Sequence, residues 1–288
     1  MAARDEPQRP AGNAADPGAG RPIRDLDTSR PHIARVYNFW LGGKDNFRAD
    51  REAASNYIRD FPDVVPGVRM QRRFLRLAVT FLAADQRIRQ FLDIGTGIPA
   101  ANNTHEVAQA VAPDCRIVYV DNDPVVLTHA RALLTSQPGG VTAYLDADLR
   151  DTDRVLEQAA ATLDFTQPVA IMLIGILQLI PDADHPGQIV AELLRAVPSG
   201  SWLAIAQPAS DVQPRQMALA TRNLNEHVSS PVTLRSHDQV EAFFSGTDLT
   251  PPGLVQMHRW LRHWDPDPAG LPDISDETAA YCGLGHKP

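Results

Sequence analysis

Two short stretches of the sequence combine glycines with carboxylates in a way that suits a nucleotide-like ligand. In the first, Asp93-Ile-Gly-Thr-Gly97, the glycines let the backbone turn tightly and leave room for a bound molecule, because they carry no Cβ. The second, Tyr119-Val-Asp-Asn-Asp-Pro124, follows at the interval of one strand and one helix. Its Asp121 stands at the end of an apolar run, where a carboxylate can accept hydrogen bonds from two ribose hydroxyls. We therefore predict one ligand site shared by the two stretches.

Details of the first stretch separate two classes of cofactor. A dinucleotide fingerprint has a third glycine three residues after the second, which packs helix against strand around a pyrophosphate, but Ala100 stands at that position. The Asp93 carboxylate fits a pyrophosphate poorly and suits a ligand with an ammonium group and a sulfonium. With Asp121 and Asp148, the pattern is similar to the S-adenosylmethionine (SAM) site of class I methyltransferases. A nicotinamide-dependent oxidoreductase is an alternative that the absence of any Tyr-x-x-x-Lys pair disfavours.

Strand and helix patterns that alternate from near residue 88 must position these turns. Such alternation predicts right-handed βαβ units and a parallel sheet covered by helices on both faces. The last two strands are expected to pair antiparallel at one edge as a C-terminal hairpin, which gives an α/β, Rossmann-like, seven-stranded and mostly parallel sheet. The predicted strands are 89–94, 116–121, 141–146, 169–175, 201–207, 253–260 and 278–285, and the predicted helices are 103–112, 124–135, 151–162, 187–196, 213–228 and 237–245.

The pattern divides the chain into three segments. Residues 1–22, rich in Ala, Gly, Pro and Arg, are predicted to be a disordered tail because they hold too little apolar surface to fold. Residues 23–86 are predicted to be a helical lid or substrate segment, whose first helix ends at Gly42-Gly43 and is followed by helices at 48–59 and 67–84. Residues 87–288 are predicted to be the SAM-binding domain. The lid residues expected to reach a ligand are Arg35, Tyr37, Asn38, Lys44 and Asn46.

A family resemblance is carried by seven segments, namely Asp27-Thr-Ser-Arg-Pro-His32, Ala34-Arg-Val-Tyr-Asn38, Leu41-Gly-Gly-Lys-Asp-Asn-Phe47, Phe91-Leu-Asp-Ile-Gly-Thr-Gly97, Asn103-Thr-His-Glu-Val-Ala-Gln109, Tyr119-Val-Asp-Asn-Asp-Pro124 and Ala147-Asp-Leu-Arg-Asp151. Through them the chain resembles the actinobacterial S-adenosyl methyltransferases, a family once grouped as a domain of unknown function within the class I SAM-dependent superfamily. The resemblance implies a Rossmann-like fold that binds SAM and a methyltransferase activity. The chain departs from the family at Ala100-Ala101, where a more polar pair is common, and at Gln178, where members commonly carry His.

The SAM interpretation gives each polar residue of the site a role. Asp93 orients the amino group of SAM, directly or through water, and Asp121 holds the ribose hydroxyls. Asn122 flanks the adenine, Asp148 accepts from the adenine amino group, and Leu149 donates its backbone amide. The predicted cofactor-binding residues are Asp93, Gly95, Thr96, Gly97, Asp121, Asn122, Asp148, Leu149 and Gly175.

Methyl transfer to a small-molecule acceptor needs positioning, desolvation and, for some acceptors, a base. The loop from Gly175 to Pro181 lies beside the transferable methyl in this fold, and segment 207–236 is expected to complete the acceptor pocket. Gln178 in that loop can hydrogen-bond an acceptor, but it cannot take its proton. The candidates for a catalytic residue are His105, Tyr37, Gln178 and His32. None is an obvious base, so a non-catalytic SAM-binding or regulatory protein stays open as an alternative.

The composition argues against several other classes of protein. The formal net charge of −8 disfavours a protein that binds duplex nucleic acid. No apolar run reaches the roughly 18 residues of a membrane span, and no charged-then-apolar leader is present, so a cytoplasmic protein is expected. Two cysteines, Cys115 and Cys282, form no metal or disulfide pattern, and no metal is predicted. The oligomeric state stays open.

Overall fold

The computed structural model describes residues 27–126, 128, 138–265 and 277–288. The predicted tail at 1–22 lies outside the described residues. Of the helix predicted at 124–135, residues 124–126 and 128 are helical, and the rest is also outside them. Within the described ranges, no helix combines the length and apolar character that a membrane crossing requires.

The elements follow the predicted alternation of strand and helix from residue 90 onwards, preceded by three helices. The helices are α1 (Ile33–Trp40), α2 (Arg48–Asp60), α3 (Val64–Ala84), α4 (Thr104–Val111), α5 (Thr152–Ala159), α6 (Pro186–Ala196), α7 (Pro214–Asn225), α8 (His237–Glu241) and α9 (Met257–Trp264). The strands are β1 (Gln90–Ile94), β2 (Arg116–Asp121), β3 (Val141–Asp146), β4 (Ala170–Ile174), β5 (Trp202–Pro208), β6 (Asp248–Leu249), β7 (Val255–Gln256) and β8 (Ala280–His286).

The strands form one mixed sheet with seven positions in the order β3-β2-β1-β4-β5-β8-β6. The first five positions are parallel, as the βαβ pattern predicts. The order reverses between β1 and β4, and open α/β sheets bind their ligands in the crevice at such a switch point. The α/β class and the seven-position, mostly parallel sheet are therefore confirmed.

The antiparallel C-terminal strands are also confirmed, but one of them is much shorter than predicted. β8 pairs with β5 along its whole length, and the two-residue strands β6 and β7 share its other edge. The strand predicted at 253–260 covers only β7, because residues 257–264 form the helix α9 instead. Apolar side chains in α9 recur at helical spacing, so they pack on one face, whereas a strand would split them between two. These side chains are Met257, Trp260, Leu261 and Trp264.

Two apolar clusters, one on each face of the sheet, hold the layers together. On one face, α3, α4 and α9 cover β1 and β2 through residues such as Phe74, Phe91 and Trp260, which are fully buried. On the other face, β1 contributes Leu92 to a cluster that includes α1, α2, α5, α6 and α7. The N-terminal helices α1 to α3 thus share the core of the sheet.

Candidate functional site

A cavity of about 260 Å³ lies at the carboxyl ends of the parallel strands. Neighbouring parallel strands end at the same edge, so the turns that follow them converge there. Gly95, Asp121, Asp148 and Gly175 come from the ends of β1, β2, β3 and β4, and Gln207 comes from β5. The residues predicted from separate motifs are therefore brought to one place.

The turn after β1 has the backbone conformation that its glycines permit. Gly95 and Gly97 have φ values of 75° and 65°, in the left-handed region that residues with a Cβ rarely adopt. A Cβ on Gly95 would lie 2.5 Å from the Ile176 side chain, whereas a Cβ on Gly97 would meet nothing within 4 Å. The space over Gly97 is thus open, and the turn presents bare backbone to the cavity.

Asp93 is a buried carboxyl at the end of β1, 5 % exposed. Its Oδ2 accepts a hydrogen bond from Thr104 Oγ1 at 2.6 Å, which leaves Oδ1 without a partner among the described residues. Burial raises the pKa of Asp93 to about 6, although the Thr104 bond and the nearby Arg72 act in the opposite direction. A cation placed against Oδ1 would stabilise the ionised form.

Asp121 is held by backbone amides on both oxygens. Oδ2 accepts from Gly97 N at 2.9 Å and Oδ1 accepts from Asp123 N at 3.0 Å. Burial raises the pKa of Asp121 above its ordinary value, and these two bonds act against that shift. Each carboxylate oxygen has a second lone pair, so Asp121 can still accept from two hydroxyl groups.

Asp148 lines the cavity, but its own neighbours already use its acceptor sites. Oδ1 accepts from the backbone N and Nε of Arg150, both at 2.9 Å, and Oδ2 accepts from Arg150 Nη2 at 2.7 Å and Asn122 Nδ2 at 3.1 Å. The hydrogen bond from Arg150 is the main reason why the pKa of Asp148 lies below its ordinary value. A bond from an adenine amino group would therefore replace one of these contacts. Leu149 and Thr96 also line the cavity.

Helix α1 contributes two polar side chains to the cavity, His32 at its N-cap and Tyr37. His32 Nδ1 lies 2.8 Å from Asp123 Oδ2, which joins the start of α1 to the turn after β2. The other predicted lid residues do not line this cavity. Arg35 is buried and its Nε donates to Asp50 Oδ1 at 3.0 Å.

The loop after α1 is held by its own amides. Asn46 Nδ2 donates to Asn38 Oδ1 at 2.9 Å and to Gly43 O at 2.9 Å, whereas Lys44 is exposed. Arg35, Asn38 and Asn46 therefore stabilise the shape of the α1–α2 segment.

The candidate catalytic residues occupy different surroundings. His105 lies outside the cavity lining, where Tyr119 OH accepts from its backbone N at 2.8 Å and contacts its Nδ1 at 2.9 Å. Burial lowers the pKa of His105 and raises that of Tyr37 to about 12, so at neutral pH both side chains are uncharged. Tyr37 in this form donates a hydrogen bond rather than removing a proton. Gln178 lines the cavity.

Arg72 on α3 lines the cavity, although no sequence motif predicts it. Its Nη2 donates to the carbonyls of Ala101 and Asn102, both at 3.0 Å, and so ties α3 to the loop after the glycine turn. Arg72 Nε is buried and has no partner within the described part of the chain. The sequence signal is weak, because arginine is frequent on this helix and no motif marks this one.

The wall opposite the sheet is formed by helices and is mainly apolar. Trp40 and Tyr57 have ring centroids 5.1 Å apart, and Phe61 follows at 6.3 Å from Tyr57. We call this surface the apolar wall and define it as Trp40, Tyr57, Phe61, Val64, Val68, Met217 and Leu224. Residues of segment 207–236 line the cavity as well, namely Gln207, Pro208, Met217, Leu224, Ser230 and Val232.

Comparisons with known proteins agree with this geometry. Residues 19–288 match the family described as S-adenosyl methyltransferase. A crystal structure of a DUF574 family protein from Streptomyces avermitilis has 43% sequence identity and a TM-score of 0.86, and the match covers 91% of this chain and 99% of that one. A proposed methyltransferase from Thermobifida fusca has 37% identity and a TM-score of 0.81, with 91% and 96% covered. Comparison with curated proteins gives no match. The chain is thus a member of the S-adenosyl methyltransferase family, within the class I SAM-dependent fold.

Proposed function

We propose that this protein transfers the methyl group of SAM to a small-molecule acceptor inside the cavity at the carboxyl edge of the sheet. The observation that carries the proposal is the arrangement of Asp93 and Asp121 around the glycine turn, whose backbone is open over Gly97. A buried carboxyl with a free oxygen, a second carboxyl with two free lone pairs and a bare glycine turn fit a ligand with an ammonium group and a ribose. Family membership supports the same cofactor.

The amino-acid end of SAM would lie between Asp93 and Arg72. Asp93 Oδ1 can accept from the ammonium group, and the buried Arg72 Nε can donate to the carboxylate. Arg72 Nε is buried without a partner among the residues that the structure describes, which costs about 1–3 kcal/mol, and no described residue donates to Asp93 Oδ1. A zwitterionic ligand would satisfy both at once.

The nucleoside end would lie at the ends of β2 and β3. Asp121 would accept from the ribose hydroxyls, and Asn122, Asp148 and Leu149 would surround the adenine. Asp148 can serve the adenine amino group only if Arg150 or Asn122 releases a contact, since all four acceptor sites are used. The His32–Asp123 contact would hold α1 over this end as a lid.

When bound, SAM supplies a methyl group that its sulfonium already activates, so the chain's task is to orient the acceptor and exclude water. The apolar wall excludes water from one side of the cavity. Tyr37, as a neutral phenol, can donate a hydrogen bond to the acceptor. Gln178 can orient the acceptor by hydrogen bonding, because an amide does not remove protons at ordinary pH.

Calorimetric titration of the purified protein with SAM, S-adenosylhomocysteine and NAD tests the cofactor assignment. We expect micromolar binding of the two adenosyl ligands and no binding of NAD. Binding of NAD alone would contradict the SAM assignment and favour a dinucleotide-binding oxidoreductase. A screen of neutral aromatic and aliphatic acceptors for release of S-adenosylhomocysteine then tests turnover; binding without release for any acceptor would favour the regulatory alternative.

A further inference from the structure

Two glutamine side chains that line the cavity each have one amide atom without a hydrogen-bond partner among the described residues. Gln178 lies in the short 3₁₀ turn Leu177–Leu179 after β4, and Gln207 lies in β5 and is 1 % exposed. Gln178 Oε1 and Gln207 Nε2 are buried and have no hydrogen-bond partner among the described residues. Both residues line the cavity.

The orientation of the Gln178 amide is fixed by a group that can only accept. Gln178 Nε2 donates to Gly175 O at 2.8 Å, and a carbonyl oxygen has no proton to give. The amide nitrogen must therefore face Gly175, which turns Oε1 away as a free acceptor. The turn itself is held because Thr233 N donates to Gln178 O at 2.7 Å.

The orientation of the Gln207 amide is fixed by a group that can only donate. Arg235 Nη1 lies 3.4 Å from Gln207 Oε1, and a guanidinium has no lone pair to offer. Arg235 is itself immobilised, since it donates to Asp182 Oδ1 at 2.7 Å and to the carbonyls of Leu177 and Ile180 at 2.8 and 2.7 Å. Gln207 Nε2 is thereby left as a free donor.

The two free amide groups belong to adjacent strand ends. Ile174 and Ala206 are register partners in β4 and β5, and Gly175 N donates to Ala206 O at 2.9 Å. One acceptor and one donor thus come from neighbouring segments at the β4–β5 end of the sheet, whereas the apolar wall comes from the helical segments. Two carboxylates, Asp63 and Glu277, also line the cavity, and neither is without a partner.

From this arrangement we infer that the methyl acceptor is a neutral, largely aromatic or apolar molecule that carries a hydrogen-bond donor and a carbonyl on one edge. Its donor meets Gln178 Oε1, its carbonyl meets Gln207 Nε2, and its apolar body packs on the apolar wall. An anionic acceptor is disfavoured because its carboxylate would face Gln178 Oε1 without a proton to share. The inference rests on the proposed function, since it assigns the substrate class of the same cavity.

Binding of simple probes to the protein saturated with S-adenosylhomocysteine tests the inference without any turnover. 2-Naphthamide carries both a donor and a carbonyl, N,N-dimethyl-2-naphthamide has no donor, and 2-naphthoate is anionic. We expect calorimetry or ligand-observed NMR to show that 2-naphthamide binds at least tenfold more tightly than either of the others. Equal affinities, or no detectable binding of 2-naphthamide, would overturn the inference.

Substitution of Gln207 tests the contact with the ligand's carbonyl. Gln207→Glu keeps an oxygen facing Arg235 and replaces the Nε2 donor by a second acceptor, and Gln207→Met removes the donor without adding charge. Because 2-naphthamide and its dimethyl analogue both carry the carbonyl, both variants should bind the two compounds several-fold more weakly than the wild type does. They should keep the wild-type affinity for S-adenosylhomocysteine, which reports that the fold and cofactor site are intact. Wild-type affinity for 2-naphthamide in both variants would remove Gln207 from the site.

Binding of S-adenosylhomocysteine distinguishes a wrong cofactor from a wrong substrate class. If the wild-type protein does not bind S-adenosylhomocysteine, the proposed function fails and the substrate assignment falls with it. If the wild type binds S-adenosylhomocysteine but does not distinguish the three naphthalene probes, only the substrate class is wrong.

Discussion

We predict that the buried carboxyl of Asp93 makes the affinity for SAM depend on pH, and the size of this dependence follows from its surroundings. Burial raises its pKa to about 6 in the ligand-free protein. An ammonium group placed against Oδ1 favours the ionised carboxylate and lowers that pKa in the complex. Protonation of Asp93 therefore competes with binding, so the affinity falls as the pH is lowered through 6 and stays level above it.

The size of the effect follows from the fraction of Asp93 that is ionised. At pH 5 a carboxyl with a pKa of about 6 is ionised to roughly one tenth, and at pH 7.5 it is almost fully ionised. The dissociation constant for S-adenosylhomocysteine should thus be about tenfold larger at pH 5 than at pH 7.5, which is about 1.4 kcal/mol. Calorimetry at four or five pH values between these limits measures it.

A matched ligand separates Asp93 from the other titrating groups of the cavity. 5′-Methylthioadenosine shares the adenine and the ribose but lacks the amino-acid end. It should therefore contact Asp121, whose pKa is also raised, and not Asp93. The affinity for 5′-methylthioadenosine should change much less between pH 5 and 7.5. Asp93→Asn, whose side-chain oxygen can still accept from Thr104, should make the affinity for S-adenosylhomocysteine nearly independent of pH as well. Parallel profiles for the two ligands in the wild type would refute the placement of the ammonium group at Asp93.

Three further substitutions test separate parts of the structure. Asp121→Ala should weaken S-adenosylhomocysteine and 5′-methylthioadenosine alike, by roughly tenfold or more if two ribose hydrogen bonds are lost, and an unchanged calorimetric affinity would sink the ribose assignment. Arg72→Met should weaken the binding of S-adenosylhomocysteine at least several-fold and leave the affinity for 5′-methylthioadenosine unchanged. An equal loss of affinity for both ligands would indicate that the loop at Ala101 and Asn102 has collapsed. Trp260→Ala should lower the free energy of unfolding in urea by about 3–5 kcal/mol, because Trp260 is fully buried against Phe74, while the exposed Arg259→Ala in the same helix should change little.

The sheet could be predicted from the sequence because the apolar segments and the turn residues that follow them indicate the same strand boundaries along most of its length. Apolar strands end at glycines or aspartates at regular intervals, and the predicted bounds of β2 and β3 match the structure. The region after β5 was harder, since α9 has a helical apolar period that also fits a short strand pattern when only 253–260 is considered. Its identity depends on packing against α3, where Trp260 meets Phe74 edge to face, and that contact joins residues far apart in the chain.

The residues proposed to bind the cofactor carry clearer sequence signals than the rest of the cavity. Asp93 and Asp121 are marked by their position beside glycines and strand ends. Arg72 and Gln207 carry no such mark, because their importance comes from a missing partner, which is a property of the folded chain. The polar cluster around Lys44 shows the opposite case, since its composition suggested ligand contact and most of its side chains instead hold a loop together.

The cavity is bounded by two kinds of support. Its polar side belongs to strand ends that Arg235 and backbone hydrogen bonds hold in place, while the apolar wall projects from helices α1, α2, α3 and α7. Changes in the volume of wall residues such as Phe61, Met217 and Leu224 should therefore alter the space left for the acceptor's apolar body without changing the side chains at the strand ends. The molecule thus offers a scaffold in which the apolar part of the acceptor can be redesigned by substitutions in the wall, with the proposed site of the methyl donor left as it is.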